Sequence, residues 1–268
     1  RLTAVTWIMT GVALMFILLR LYCKRMLRTG FWWDDHLLIV AWVCLLIFAS
    51  FSEAAISHGL GKHITDIDPT TYPLVFQPTF HAGFFSILAA DLGKTSFAVT
   101  LLRLVPHTWQ RITIWFIIIS LNIIMGLCAI FLYTQCSPVA RNWDQTVSGT
   151  CWPGAVQTVF AIIAGAYSSA MDFVLAFFPW VLLWKLQIRR PEKLGVAFAM
   201  SLGVLAGATG IVKTIYLQTM NEADYTFYGV DLMIWGTVES ATTIMAACIP
   251  FFRILVKKAS RYYQSSED

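Results

Sequence analysis

The chain has 268 residues, of which 58% are hydrophobic and only 13% charged, with a mean hydropathy of +0.68. A water-facing domain carries about twice that charge, so a soluble globular fold, a disordered chain and a collagen-like fibre are excluded. The formal charge of +4 is too small to predict a nucleic-acid partner, and a polytopic membrane protein in a lipid bilayer remains.

Seven apolar stretches are each long enough to cross a hydrocarbon core of about 30 Å. In chain order they cover residues 2–22, 37–57, 82–102, 112–134, 155–184, 194–219 and 229–256. The reading is an all-α, seven-transmembrane-helix bundle over residues 1–258, with 259–268 as a short tail. The first stretch is expected to stay as a helix rather than to be cleaved as a signal peptide. With the amino terminus outside, fourteen Lys and Arg fall on the cytoplasmic side, Arg20, Lys24, Arg103 and Lys257 among them. Three fall outside: Arg1, Lys62 and Arg141. That bias places the carboxyl terminus in the cytoplasm.

Between the first two stretches, Trp33-Asp34-Asp35 opens the second helix. The helix dipole favours carboxylates there, and Arg25 or Arg28 is the expected counter-charge. The outer loop after the second stretch carries His58, Gly59, Gly61, His63, Asp66 and Asp68. The glycines favour a turn, and a structured lid is expected in preference to a metal site. Further on, Cys136 and Cys151 share an outer loop of oxidising surroundings, where a disulfide is favoured. Cys44, Cys128 and Cys248 lie within spans and are expected to pack, as is Cys23, for which palmitoylation is the alternative.

Ionisable residues inside the spans are the candidate site, because each needs a partner or a cavity within the bundle. They are Asp91 and Lys94 in the third span, Asp172 in the fifth, Lys213 in the sixth and Glu239 in the seventh. At 1.5 Å per residue, Asp91, Lys94 and Asp172 share a layer about 14–20 Å above the inner face. Lys213 and Glu239 share a second layer, nearer the outside. Asp231, Trp235 and Glu239 follow i, i+4, i+8 and are read as one stripe within reach of Lys213. The set serves either as buried ion pairs that hold helix register or as the floor of a pocket for a polar group on a lipophilic ligand. Gly203-x-x-x-Gly207 and Gly210 give the sixth span a small face for close helix packing. Pro179 and Pro250 are candidate kinks in the inner halves of the fifth and seventh spans.

Several short motifs stand in a distinctive order: Arg20-Leu21-Tyr22, Trp33-Asp34-Asp35, Gly59-Leu60-Gly61-x-His63 and Lys94-x-Ser96. After them come Cys136-x-Pro138, Trp143, Cys151, Asp172, Pro179, Trp235-x-x-x-Glu239 and Cys248-x-Pro250. Together they resemble the fungal rhodopsin-like seven-helix domain, shared by surface-sensing receptor-like proteins of filamentous fungi and by satratoxin-cluster-type integral membrane proteins. Lys213 stands where that family usually carries Arg, which turns a bidentate pair into a point-charge pair. The resemblance implies a membrane receptor-like protein or a membrane protein of secondary metabolism.

No cofactor and no metal are expected. A retinal Schiff base needs a lysine in the seventh span, which has none before Lys257 at its inner end, and the five histidines lie at or near span ends rather than as membrane-embedded zinc ligands. The leading expectation is a receptor-like protein for a hydrophobic small molecule, with a heterotrimeric G protein as the candidate partner. The third span nevertheless ends Leu102-Arg103-Leu104, without an Asp/Glu-Arg-Tyr signature, and the seventh reads Ile249-Pro250-Phe251-Phe252. The alternative is a membrane-embedded cyclase or isomerase with Asp91, Asp172 or Glu239 as the acid. Either belongs to a multi-pass protein of the plasma membrane or an endomembrane.

Overall fold

With no water to satisfy backbone N–H and C=O groups, long apolar segments close their hydrogen bonds internally as helices. The computed structural model describes residues 1–26, 30–105, 107–183, 190–218 and 225–267. Seven α-helices occupy nearly all of them: α1 Leu2–Met26, α2 Trp33–Ser57, α3 Tyr72–Leu104, α4 Thr108–Thr134, α5 Gly154–Leu183, α6 Arg190–Tyr216 and α7 Tyr225–Glu267. Six are long and apolar enough to cross a membrane, and α6 contributes the shorter apolar stretch Met200–Tyr216.

Most helix ends lie within about four residues of the sequence reading, and two depart further. α3 begins ten residues early, because Pro73 sits in its first turn, where its missing N–H costs nothing, and the helix continues through Pro78. α7 runs on to Glu267 through the segment read as a tail. α5 and α7 also run through Pro179 and Pro250.

Sequence neighbours pack side by side, and α7 closes the bundle by packing on α1, α3 and α6. From Gly236 to Ile249 every residue of α7 is buried except the half-buried Val238. The outer faces of α1 and α4 expose large apolar side chains, including Ile8, Met15, Leu18, Ile112, Phe116 and Ile119. Inside lie Arg20, Lys24, Asp34, Asp35, Lys94 and Glu239. That polarity, apolar outward and charged inward, suits a lipid solvent. All four free cysteines are buried, Cys23 included, so packing is their role.

The small face of α6 docks on α5. A Cβ added at Gly203 would stand 2.7 Å from the Ala176 Cβ, and one at Gly207 would stand 2.9 Å from the Phe173 ring. At one end of the bundle, Cys136 and Cys151 form the expected disulfide, and β1 (Cys136–Ser137) pairs antiparallel with β2 (Thr150–Cys151). A covalent ring of 15 residues of sequence separation stabilises the fold by about 3 kcal/mol on chain-entropy grounds.

Candidate functional site

A cavity of about 620 Å³ opens at the disulfide end, between α3, α4, α5, α6 and α7. Phe76, Phe80 and Met125 supply part of its apolar wall, with Gln157 and Lys213 among its polar groups. Two short turns frame its mouth. In the first, Asp68 accepts from the Thr70 backbone N–H at 3.0 Å and from its hydroxyl at 2.8 Å. In the second, Asp144 accepts from the Thr146 hydroxyl at 2.6 Å and its N–H at 3.0 Å. These bonds favour the ionised carboxylates and hold both below the ordinary Asp range. Trp143, beside the second turn, packs on Phe80 and His81, and His81 Nδ1 lies 2.7 Å from the Tyr133 hydroxyl. His63 stacks on Phe227.

Behind the inner end of the cavity lies an ionic network, which Lys213 brings to the wall. Lys213 pairs with Glu239 Oε2, while Glu239 Oε1 accepts from Lys94 Nζ at 2.7 Å. Lys94 Nζ also lies 2.8 Å from Asp172 Oδ2 and donates to the Ser168 hydroxyl. The two layers inferred from depth are therefore one network, because a single carboxylate bridges both lysines. Lys94 and Glu239 are fully buried. Asp172 Oδ2 and Glu239 Oε2 face their lysines without hydrogen-bond alignment, so the contacts there are Coulombic. The network ties α3, α5, α6 and α7.

Asp91 is buried three residues from Lys94, within α3, and its Oδ1 has no hydrogen-bond partner among the described residues. Asp231 is exposed and Trp235 half-buried, and neither lines the cavity. At 100° per residue, i+8 lies about 80° around the helix from i, so Asp231 and Glu239 point different ways. Of the charged candidates from the sequence, Lys213 alone lines the cavity itself.

A second ionic cluster lies at the opposite end. Arg20 pairs with Asp34 and, through Nε at 3.0 Å, with Asp35. Lys24 also pairs with Asp35 and stands 3.4 Å from Asp34. Arg103 pairs with Asp34, and its guanidinium sits 4.4 Å from the Trp32 ring centroid. Of the partners expected from the sequence, Arg25 is exposed and Arg28 lies outside the described residues. Arg20 and Lys24, four residues apart on one face of α1, were the available signal. Arg20 also donates to the Ala247 carbonyl of α7, and the Ser96 hydroxyl of α3 donates to the Asp34 carbonyl at 2.7 Å. α3 and α7 therefore carry members of both clusters. Gln157 and Asn142, on the cavity wall, were not legible as site residues, since a lone amide has no sequence signature.

An apolar-coated helical bundle with ionic ties inside and a cavity at one end defines a polytopic integral membrane protein. Residues 19–258 match the fungal rhodopsin domain, and the chain belongs to that family. Satratoxin biosynthesis SC1 cluster protein 4 of Stachybotrys chartarum is 32% identical over 46% of this chain and 43% of its own length. Polyenoic acids biosynthesis gene cluster protein Ba17b of Metarhizium anisopliae is 21% identical over 96% of the chain and 74% of its own. A SAT4 family membrane protein of Emericella nidulans is 26% identical over 79% of the chain and 55% of its own. The chain thus spans from under half to about three quarters of these relatives. No solved structure matches it.

Proposed function

We propose that the chain is a seven-helix receptor-like protein that binds a lipophilic small molecule in the cavity at its disulfide end. In this reading the amino terminus and the cavity face outside, and the carboxyl terminus faces the cytoplasm, in the plasma membrane or an endomembrane. The observation that carries it is the double membership of Lys213, which lines the cavity and is ion-paired to Glu239. A ligand atom that draws on Lys213 changes the bond that ties α6 to α7, and through Lys94 the bonds to α3 and α5. The far cluster, built on the same α3 and α7, is where the change is read out, with a heterotrimeric G protein as the candidate partner.

The test is nucleotide exchange on a reconstituted fungal Gα subunit, with the protein in nanodiscs and an organic extract of the host fungus added. Extract-dependent acceleration that disappears in Lys213→Met supports the receptor. The relatives named for biosynthesis clusters favour a second reading, a membrane-embedded cyclase or isomerase of secondary metabolism. Of the three expected acids none lines the cavity, and Glu239 is reached from it through its pair with Lys213. Turnover of a pathway intermediate by wild type but not by Glu239→Gln, with no exchange response, assigns the enzyme.

A further inference from the structure

The cavity carries more chemical detail than a lipophilic wall, and the class of ligand it takes can be narrowed if, as proposed above, it is a binding site. The network behind its inner end is electrically balanced: Lys94 and Lys213 meet Asp172 and Glu239, two cations against two carboxylates. Buried Asp91, three residues from Lys94, tips the surroundings toward the acidic side. An anionic ligand would bring one more negative charge into a site screened poorly from it, and Lys213 would have to be shared with Glu239. A neutral acceptor makes no such demand. An ammonium group has three N–H donors, and Glu239 is the one ion-pair partner of Lys213 among the described residues.

The wall adds a second constraint. Gln157 of α5 is 8% exposed, lines the same cavity, and its Oε1 has no hydrogen-bond partner among the described residues. A buried amide oxygen is costly until a donor reaches it. Its height above the inner end is set by the packing of α5 on α6. Gly165 lies against Thr214, the neighbour of Lys213. Gln157 is eight residues earlier on α5, about 12 Å nearer the mouth.

We infer that the cavity selects a neutral, oxygenated lipophile, with a carbonyl-type acceptor on Lys213 and a hydroxyl donor nearer the mouth on Gln157. Gln157 is thereby the residue that sets specificity at the outer end of the ligand, and Lys213 at the inner end.

The probes are decane, decanoate, methyl decanoate and methyl 10-hydroxydecanoate, titrated against the full chain in nanodiscs. Bilayer partitioning is removed by subtracting a cavity-filled Ala161→Trp protein, whose fold is checked by its own thermal transition. Methyl decanoate is expected to bind about tenfold tighter than decanoate, since only the acid carries an extra charge inward. The terminal hydroxyl is expected to add about fivefold, the worth of one neutral hydrogen bond. Gln157→Met keeps the side-chain volume, and it should erase the hydroxyl's gain, so that the two esters bind alike. Tighter binding of decanoate than of its ester overturns the inference on wild-type protein alone, without any variant. Equal weakening of both esters by Gln157→Met overturns the seat at Gln157 and marks the residue as structural. If no probe, decane included, distinguishes wild type from Ala161→Trp, the binding reading itself falls and takes the inference with it.

Discussion

Lys94→Met removes the cation at the centre of the buried network. Lys94 is fully buried, lies 2.8 Å from Asp172 and donates to Glu239 at 2.7 Å. After the change Glu239 keeps Lys213, but Asp172 loses its one ion-pair partner among the described residues. Breaking a buried pair by removing one member costs about 3–5 kcal/mol, because the other charge stays behind. At roughly 2–4 °C per kcal/mol for a chain approaching this size, the apparent Tm should fall by roughly 6–20 °C. Asp172→Asn alone should cost less, since Lys94 still has Glu239. The combination Lys94→Met with Asp172→Asn should recover much of the loss, giving a coupling of about 1–3 kcal/mol. Thermal unfolding of the four proteins in one detergent, followed by near-ultraviolet circular dichroism, makes the comparison. A single-variant shift below about 2 °C, or strictly additive losses in the double variant, would refute the coupling.

Reduction of Cys136–Cys151, or Cys136→Ser with Cys151→Ser, should cost up to about 3 kcal/mol and speed hydrogen exchange in the loop between α4 and α5. Gly203→Val should destabilise by about 1–3 kcal/mol in detergent unfolding, because its Cβ would press on the Ala176 Cα, backbone that cannot swing aside. The turns at the mouth should loosen in acid. Asp68 and Asp144 are held below the ordinary Asp range by bonds from Thr70 and Thr146. Their contribution is complete above the unfolded-state Asp pKa and is lost as pH falls through the lower folded-state values. Hydrogen exchange at residues 69–72 and 145–147 should therefore accelerate only in strong acid, and Asp144→Asn should make the second turn insensitive to pH.

The bundle was legible because hydrocarbon imposes one solution on long apolar runs, and the disulfide because two cysteines share one loop. Ionisable residues inside spans were equally visible, since Lys94, Asp172, Lys213 and Glu239 stand alone in apolar sequence. Their pairing was legible only to the height of a helical turn. Depth counting separated Lys94 from Glu239, whereas a glutamate with two oxygens and two lysines on flexible stems spans the gap between the layers. On α7, i+8 lies about 80° around the helix from i, which leaves Asp231 exposed while Glu239 is buried. The start of α3 was hidden because Pro73 and Pro78 read as loop residues, although the first turn of a helix tolerates proline. Arg20 and Lys24 were hidden in another way: they read as part of the basic bias at one face, and only the approach of α1 to α2 turns them inward onto Asp34 and Asp35.

Whether Lys213 is at once a wall of the cavity and a partner of Glu239 is tested most directly by chemical replacement of its charge. In a Cys128→Ala background, which removes the other cysteine lining the cavity, Lys213→Cys is treated with aminoethyl or sulfonatoethyl methanethiosulfonate, and thermal unfolding is recorded. Both reagents are expected to enter. The ammonium adduct should restore most of the stability lost in Lys213→Cys, and the sulfonate adduct should lower it further beside Glu239. A thiol that neither reagent reaches, or two adducts that unfold at the same temperature, would contradict that double role.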